Sequence, residues 1–378
     1  MKPVKRDVLI ACLSCLCFSC GPDKPENSGR SFYMGFTPWP YAPTQQAVND
    51  VYSFINAEGD LVAHHFQQGI PYTADTADFS SYHQSIQAEI DGRLAATASG
   101  KLMYLAIDSL NGARDDLADL WTDSGTAPRP APWDSKGFDD PAVIAAYIEF
   151  SLTVLEKFRT AYGTLPAYFN YGTEISDLMI NDPAKFSAYT VFAREVYTNI
   201  KAACPSLKMM VSIALKTPGS AEMASAQAGF TRIRDYVDVV GISTYGYAFY
   251  GHADKGNPDN LPADWLTQIL MIAPGKPYGV TETGWIAENL SIPAYGLAVA
   301  GSESWQNKYL ARLFDECNNQ LQAELLIWFT AYDYDRLWSE TLAGADLPKI
   351  WKDTGLVDED FRERCALATW RNWLRRRH

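Results

Sequence analysis

The sequence predicts an α/β protein, a (β/α)8 TIM barrel in one domain, from three observations. Eight short apolar runs recur along the chain, longer amphipathic stretches separate them, and two of the runs lead directly into a glutamate. The runs are Phe32 to Thr37, Leu61 to Phe66, Leu102 to Ile107, Ala167 to Tyr171, Lys208 to Ile213, Val237 to Ile242, Tyr278 to Thr281 and Leu325 to Phe329. Continuous apolar runs suit strands buried on both faces, as in a parallel sheet wrapped by helices. The competing architecture is a doubly wound open sheet, and no Gly-x-Gly-x-x-Gly follows the first run to favour its dinucleotide-binding form. A chain of 378 residues is long for one domain, but barrels with inserted loops reach that size.

Residues 1–19 read as a targeting segment rather than as part of the fold. Lys2, Lys5 and Arg6 precede an apolar run, Val8 to Phe18, that is too short to span a bilayer. The segment resembles a bacterial lipoprotein signal, which implies lipid on Cys20, although Cys17 stands where such signals usually have Leu. The resemblance implies a bacterial cell-envelope, outer-membrane lipoprotein anchored by that lipid; plain secretion is the alternative. Residues 20–30, rich in Pro, Gly, Ser and charge, read as a flexible tether, and 31–378 as the barrel domain.

Along the barrel, the first strand leads into Trp39. The second carries His64 and His65, one of which must face the interior because successive strand residues point to opposite faces. The third ends at Asp108, read as a cap on the next turn in preference to a sugar contact. From Asp108 to Asp140 runs a long loop with Arg114, Trp121, Trp133 and three prolines. Pro141 to Thr160 has helical apolar spacing, and Asp182 to Ala203 opens with Asp-Pro, an N-cap followed by proline at the first helical position. Trp305 to Gln322 is a further helix. A second long loop, Tyr245 to Pro262, follows the sixth strand, and loops on that face of a barrel shape its groove. Asp333 and Asp335 are read as ion-pair partners of Arg336, Trp370 and Trp373 as packing, and Arg375 to His378 as a solvated basic end.

A net charge of −13 argues against a nucleic-acid partner, since a polyanion would be repelled. Aromatics make up 13% of residues; any one ring is better read as core, but rings near a groove can stack on sugars. Only Cys204, Cys317 and Cys365 remain in the body, an odd number without close spacing, so neither a disulfide framework nor a zinc site is suggested. No metal and no cofactor is expected. Neither Gly-x-Ser-x-Gly nor His-Glu-x-x-His occurs.

The chemistry is predicted from Glu174 and Glu282, each at the tip of a predicted strand, where parallel barrels place reacting groups. One glutamate so placed is as readily a cap or an ion pair. Two at matching places read as the acid/base and the nucleophile of a retaining glycoside hydrolase, which need carboxyls about 5 to 5.5 Å apart. Tyr168-Phe169-Asn170-Tyr171-Gly172-Thr173-Glu174, Asp238 to Tyr245, Lys276 to Trp285, Ile327-Trp328-Phe329 and Trp351 to Leu356 together resemble the clan A glycoside hydrolases. Within that clan they are most similar to the endo-β-1,4-galactanase and β-mannanase families. The resemblance implies Glu174 as acid/base, Glu282 as nucleophile, Tyr245 donating to Glu282, and Trp328 as a floor beneath the sugar. It also marks Thr173 as a substrate contact, where many members have Asn, and Trp39 and Trp285 as candidate stacking rings. A carbohydrate substrate is implied, with galactan, mannan and glucan types open and endo action expected. The protein is expected to work as a monomer. A surface carbohydrate-binding barrel without turnover is the alternative.

Overall fold

The computed structural model describes residues 29–67, 70, 84–122, 125–131 and 133–378; the targeting segment, Cys20 and most of the tether lie outside the described residues. All eight predicted strands form: β1 (Tyr33–Phe36), β2 (Leu61–Phe66), β3 (Leu102–Ile107), β4 (Tyr168–Asn170), β5 (Lys208–Ala214), β6 (Val239–Thr244), β7 (Tyr278–Thr283) and β8 (Leu325–Trp328). Each runs parallel to its neighbours, and β8 closes on β1 with Leu325 opposite Tyr33 and Trp328 opposite Phe36. The fold is therefore a closed (β/α)8 TIM barrel.

Alternation along the strands sorts the side chains into two sets. Leu61, Ala63, Tyr104, Ala106, Tyr168, Met210, Val239, Leu325 and Ile327 pack together inside the barrel. Their neighbours in sequence, such as Val62, Leu105, Phe169, Val240, Leu326 and Trp328, pack outward in the core shared with the helices. Where β1 crosses β2 only a glycine fits, since a Cβ on Gly35 would lie 2.4 Å from the Leu61 carbonyl oxygen.

The outer ring comprises α1 (Gln45–Glu58), α2 (Gln84–Ala96), α3 (Pro141–Tyr162), α4 (Pro183–Ala203), α5 (Ala221–Ile233), α6 (Ile269–Ile272), α7 (Glu303–Glu316) and α8 (Cys365–Leu374). Asp140 and Asp182 accept from the Ala142 and Lys185 amides to start α3 and α4, each ahead of a proline. The helix predicted to reach Gln322 instead starts earlier, at a Ser302 cap. Beyond Glu316 it loosens into a π-helical turn over Cys317–Leu321.

Several sequence expectations are corrected. Arg30 belongs to the domain: its guanidinium bonds Asp60 at 2.6 Å and the Phe32 carbonyl at 2.7 Å. The basic end is exposed at Arg375, Arg377 and His378 as expected, but the His378 ring also stacks on Tyr33 and Arg376 lies over Trp373. Cys204, Cys317 and Cys365 form no disulfide with one another. Arg336 pairs with Glu340, while Asp335 bonds Lys352 and Asp333 takes Arg364 at 2.5 Å and the Gly355 amide at 2.8 Å. The Asp333 and Arg364 side chains are 0% and 2% exposed, so this pair clasps the loop after β8 to the chain entering α8. Replacing Arg364 by Met strands the Asp333 charge and is expected to cost about 3–5 kcal/mol, read as a lower urea midpoint. Asp333→Asn in the same background should recover part of that loss.

Candidate active site

The chain after β4 turns sharply to bring Glu174 over the carboxyl ends of the strands. The turn needs Gly172, where a Cβ would lie 2.6 Å from the Tyr189 hydroxyl. The Asn170 amide oxygen accepts from the Gly172 N–H at 3.0 Å, and the Glu174 N–H donates to Ser212 Oγ at 2.8 Å. Glu174 itself has φ 53°, a left-handed conformation that costs a non-glycine residue of order 1 kcal/mol and tends to mark functional positions. Its Oε1 accepts from Ser243 Oγ at 2.8 Å and its Oε2 from Arg114 Nε at 3.3 Å.

Glu282 reaches the same place by another device. Gly279 and Thr281 meet the lumen residues Leu325 and Gly241, so strict alternation would send Glu282 outward. The β6–β7 ladder slips at that point, pairing Ile242 with Val280 but Ser243 with Glu282, and the β7–β8 ladder slips as well. The extra residue re-aims the carboxylate, as a β-bulge does. Glu282 Oε1 then accepts from the Tyr245 hydroxyl at 2.8 Å.

The two glutamates thus converge on Ser243, which donates to Glu174 and lies opposite Glu282 in the sheet. Burial first, and the Glu174 charge second, push the Glu282 carboxyl up to about 7, against the pull of His65, Tyr245 and Arg114. Burial and the Glu282 charge likewise hold the Tyr245 hydroxyl well above its usual range, so it stays a donor.

Beside the pair lies a charged chain that sequence reading did not assemble. His65 Nε2 bonds Asp108 Oδ1 at 2.9 Å, and Arg114 Nη1 bonds Asp108 Oδ2 at 2.9 Å. Asp108 is thus an ion-pair hub rather than a turn cap. Burial would lift its carboxyl, but Arg114 and His65 hold it well below the usual carboxylate range. Burial pulls the His65 imidazole down, but Asp108 outweighs it and leaves it raised. His65 is the lumen histidine. His64 lies on the helix side against Phe158 and Thr97, and burial lowers it to about 3. Position within the strand could have flagged His65 and Asp108; nothing local marks Arg114, which arrives on the long loop.

The other predicted contacts divide. Thr173 is 5% exposed, with its hydroxyl helping to hold Asp108 low. Trp39 is half-buried just beyond β1, 5.6 Å from Phe329 and 6.0 Å from Tyr334. Trp328 and Trp285 are corrections. Both are 0% exposed, and their indoles donate to the Thr354 and Gly256 carbonyls. Trp328 has the wrong parity for the lumen, which Leu325 and Ile327 occupy, so it offers no face to a sugar. Half-buried Phe329 follows Trp328 with its N–H on the Thr283 carbonyl at 2.7 Å, and half-buried Trp351 lies 5.7 Å from the Tyr245 ring. The Glu288, Asp333 and Asp353 carboxylates cluster within 4.8 Å, but Arg364 and Lys352 already bond them.

No protein-family model matches the chain, and no curated protein does. Solved structures share its fold at low identity. The exo-β-1,4-mannosidase Op5Man5 from Opitutaceae bacterium strain TAV5 aligns with TM-score 0.59 and 17% identity over 92% of this chain; the chain spans 60% of the mannosidase's length. A GH53 catalytic domain from Ignisphaera aggregans aligns with TM-score 0.58 and 16% identity, over 93% of this chain and 98% of that one. Xylanase 10B from Thermotoga maritima gives 0.59 and 12%, over 91% and 95%.

Proposed function

We propose that the protein is a retaining β-glycoside hydrolase of the clan A type that cuts β-linked saccharides by double displacement. The observation that carries this reading is the convergence of Glu174 and Glu282 on Ser243, at the carboxyl ends of β4 and β7. Glu174, with its side chain 25% exposed, protonates the leaving oxygen; Glu282, held by the Tyr245 hydroxyl, attacks the anomeric carbon. Similarity of fold to an exo-β-1,4-mannosidase, a GH53 domain and a xylanase supports a carbohydrate substrate of galactan, mannan or xylan-like β-linked type. Trp39, Phe329 and Trp351 supply aromatic faces for it. The deciding experiment is a panel of β-linked polysaccharides assayed for new reducing ends, with product lengths separating endo from exo action. Binding of a polymer with no release from any would favour a non-catalytic binding barrel.

The pH profile follows from the pair. Double displacement needs one shared proton, and the raised Glu282 value means the pair loses it as pH climbs through about 7. The kcat/KM of the free enzyme is therefore expected to fall tenfold per unit above that point, and again at acid pH when both carboxyls are protonated.

We read the amino-terminal segment as a lipoprotein signal that tethers the enzyme to the cell envelope through Cys20. Among the described residues no helix is long and apolar enough to cross a membrane. Cys20→Ala is expected to abolish incorporation of labelled palmitate and to release the protein from the membrane fraction, which metabolic labelling and fractionation would read.

A further inference from the structure

We infer that Arg114 is the positioning residue of the glutamate pair: anchored on Asp108, it presents a fixed guanidinium to Glu174 that takes up the negative charge left when Glu174 gives its proton away. This rests on the proposed hydrolase mechanism and adds to it a residue from the loop after β3.

The geometry makes Arg114 a stationary cation. Its Nη1 is held at 2.9 Å by Asp108 and at 3.2 Å by the Asn111 carbonyl, whereas Nε lies 3.3 Å from Glu174. The firm end is on Asp108, which is 2% exposed and fixed on its other oxygen by His65. The turn carrying Arg114 is closed by its own N–H on the Asn111 carbonyl at 3.1 Å, by the Asp115 amide on Asn111 Oδ1 at 3.1 Å and by a Leu110–Leu117 bridge. Arg114 has φ 60°, so two non-glycine residues in the left-handed region face each other across this contact. A backbone held in this way aims the guanidinium at one place.

In the first half of the reaction the Glu174 proton passes to the glycosidic oxygen, the C1–O bond breaks, and a Glu282 oxygen bonds C1. Glu174 is left anionic against Arg114. In the second half water returns a proton to Glu174 as its oxygen bonds C1 and the Glu282 bond breaks. A fixed cation favours the first transfer and disfavours the second. Among the described residues the other groups facing the pair are His65 on β2, Tyr104 and Asp108 on and just after β3, Ser243, Tyr245 and Tyr247 on and after β6, and the Asp177–Lys216 ion pair beyond β4 and β5. Of these, Arg114 alone brings a permanent positive charge into contact with Glu174.

The test compares Arg114→Met and Arg114→Lys with the native enzyme. Its substrates are an unactivated β-linked oligosaccharide and a dinitrophenyl β-glycoside of the sugar that the native enzyme releases. Arg114→Met should lose about tenfold or more in kcat/KM on the oligosaccharide and far less on the activated glycoside, which needs little proton donation. Its alkaline limb should move to higher pH by about one unit, because removing a nearby cation raises the proton affinity of both carboxyls. Arg114→Lys, keeping the charge, should leave the limb near its native place. Carbon-13 NMR of the glutamate carboxyls, assigned with Glu174→Gln and Glu282→Gln, reads the same upward shift without turnover. Equal losses on both substrates with an unmoved limb and titration would make Arg114 merely structural and overturn the inference. Should the native protein cleave nothing while the titration still moves in Arg114→Met, the hydrolase reading falls but the hold of Arg114 on the pair stands.

Discussion

The Glu282→Gln protein is expected to lose turnover by about 10⁴-fold or more while becoming more stable than the native protein at pH 8. The loss follows from the role: an amide cannot attack the anomeric carbon, and among the described residues no other carboxylate shares the Ser243 site with Glu174. The gain follows from the same burial. A carboxyl lifted from 4.5 to about 7 is more easily protonated folded than unfolded, so its ionisation works against the fold. The cost is absent below pH 4.5, grows between that value and 7, and is complete above it. For the half-buried group it amounts to at most about 3 kcal/mol. Glutamine carries no charge and still accepts from the Tyr245 hydroxyl. Melting curves at pH 4.5 and pH 8, beside a reducing-sugar assay, measure both effects. Equal melting temperatures at both pH values would show that the carboxyl is not strained by its neighbour, and retained activity would remove Glu282 from the chemistry.

The strands were readable because each is a short apolar run, and the two glutamates because each closely follows such a run. Side-chain direction was less readable. Alternation needs a register, and at β7 the register slips by one residue; the slip that turns Glu282 inward leaves no trace in Tyr278 to Thr283. The same parity question misplaced Trp328. The resemblance placed the floor at Trp328 on strand eight, but Leu325 and Ile327 take the lumen and leave the indole among the helices. Asp108 was visible as a strand-end carboxylate, yet its partners His65 and Arg114 come from 43 residues before it and 6 after, and only the closed barrel joins the first of them to it. The ion pair of Asp333 with Arg364 spans 31 residues and displaced the nearer Arg336 for a similar reason. Local sequence offers the nearest charge, whereas burial selects the one whose geometry satisfies both.

Removal of the other glutamate should separate the two halves of the reaction. Glu174→Ala is expected to slow release from an unactivated oligosaccharide by about 10²–10⁴-fold, the usual share of general acid catalysis. On a dinitrophenyl glycoside the first half should stay fast, because that leaving group needs no proton. The second half, lacking its base, should then limit turnover and appear as a burst of released phenol equal to the enzyme present. Azide should relieve this block. Glu174 is partly open to the cleft, so truncation leaves a space beside the anomeric carbon that a small anion can enter without needing a base. Attack on the Glu282 ester from that side restores the original configuration and yields the β-glycosyl azide, whose anomer proton NMR identifies. An α-azide would mean direct displacement with no covalent stage, and double displacement would be wrong. A variant that loses activity equally on both substrates and ignores azide would show that Glu174 supports the site without moving the proton.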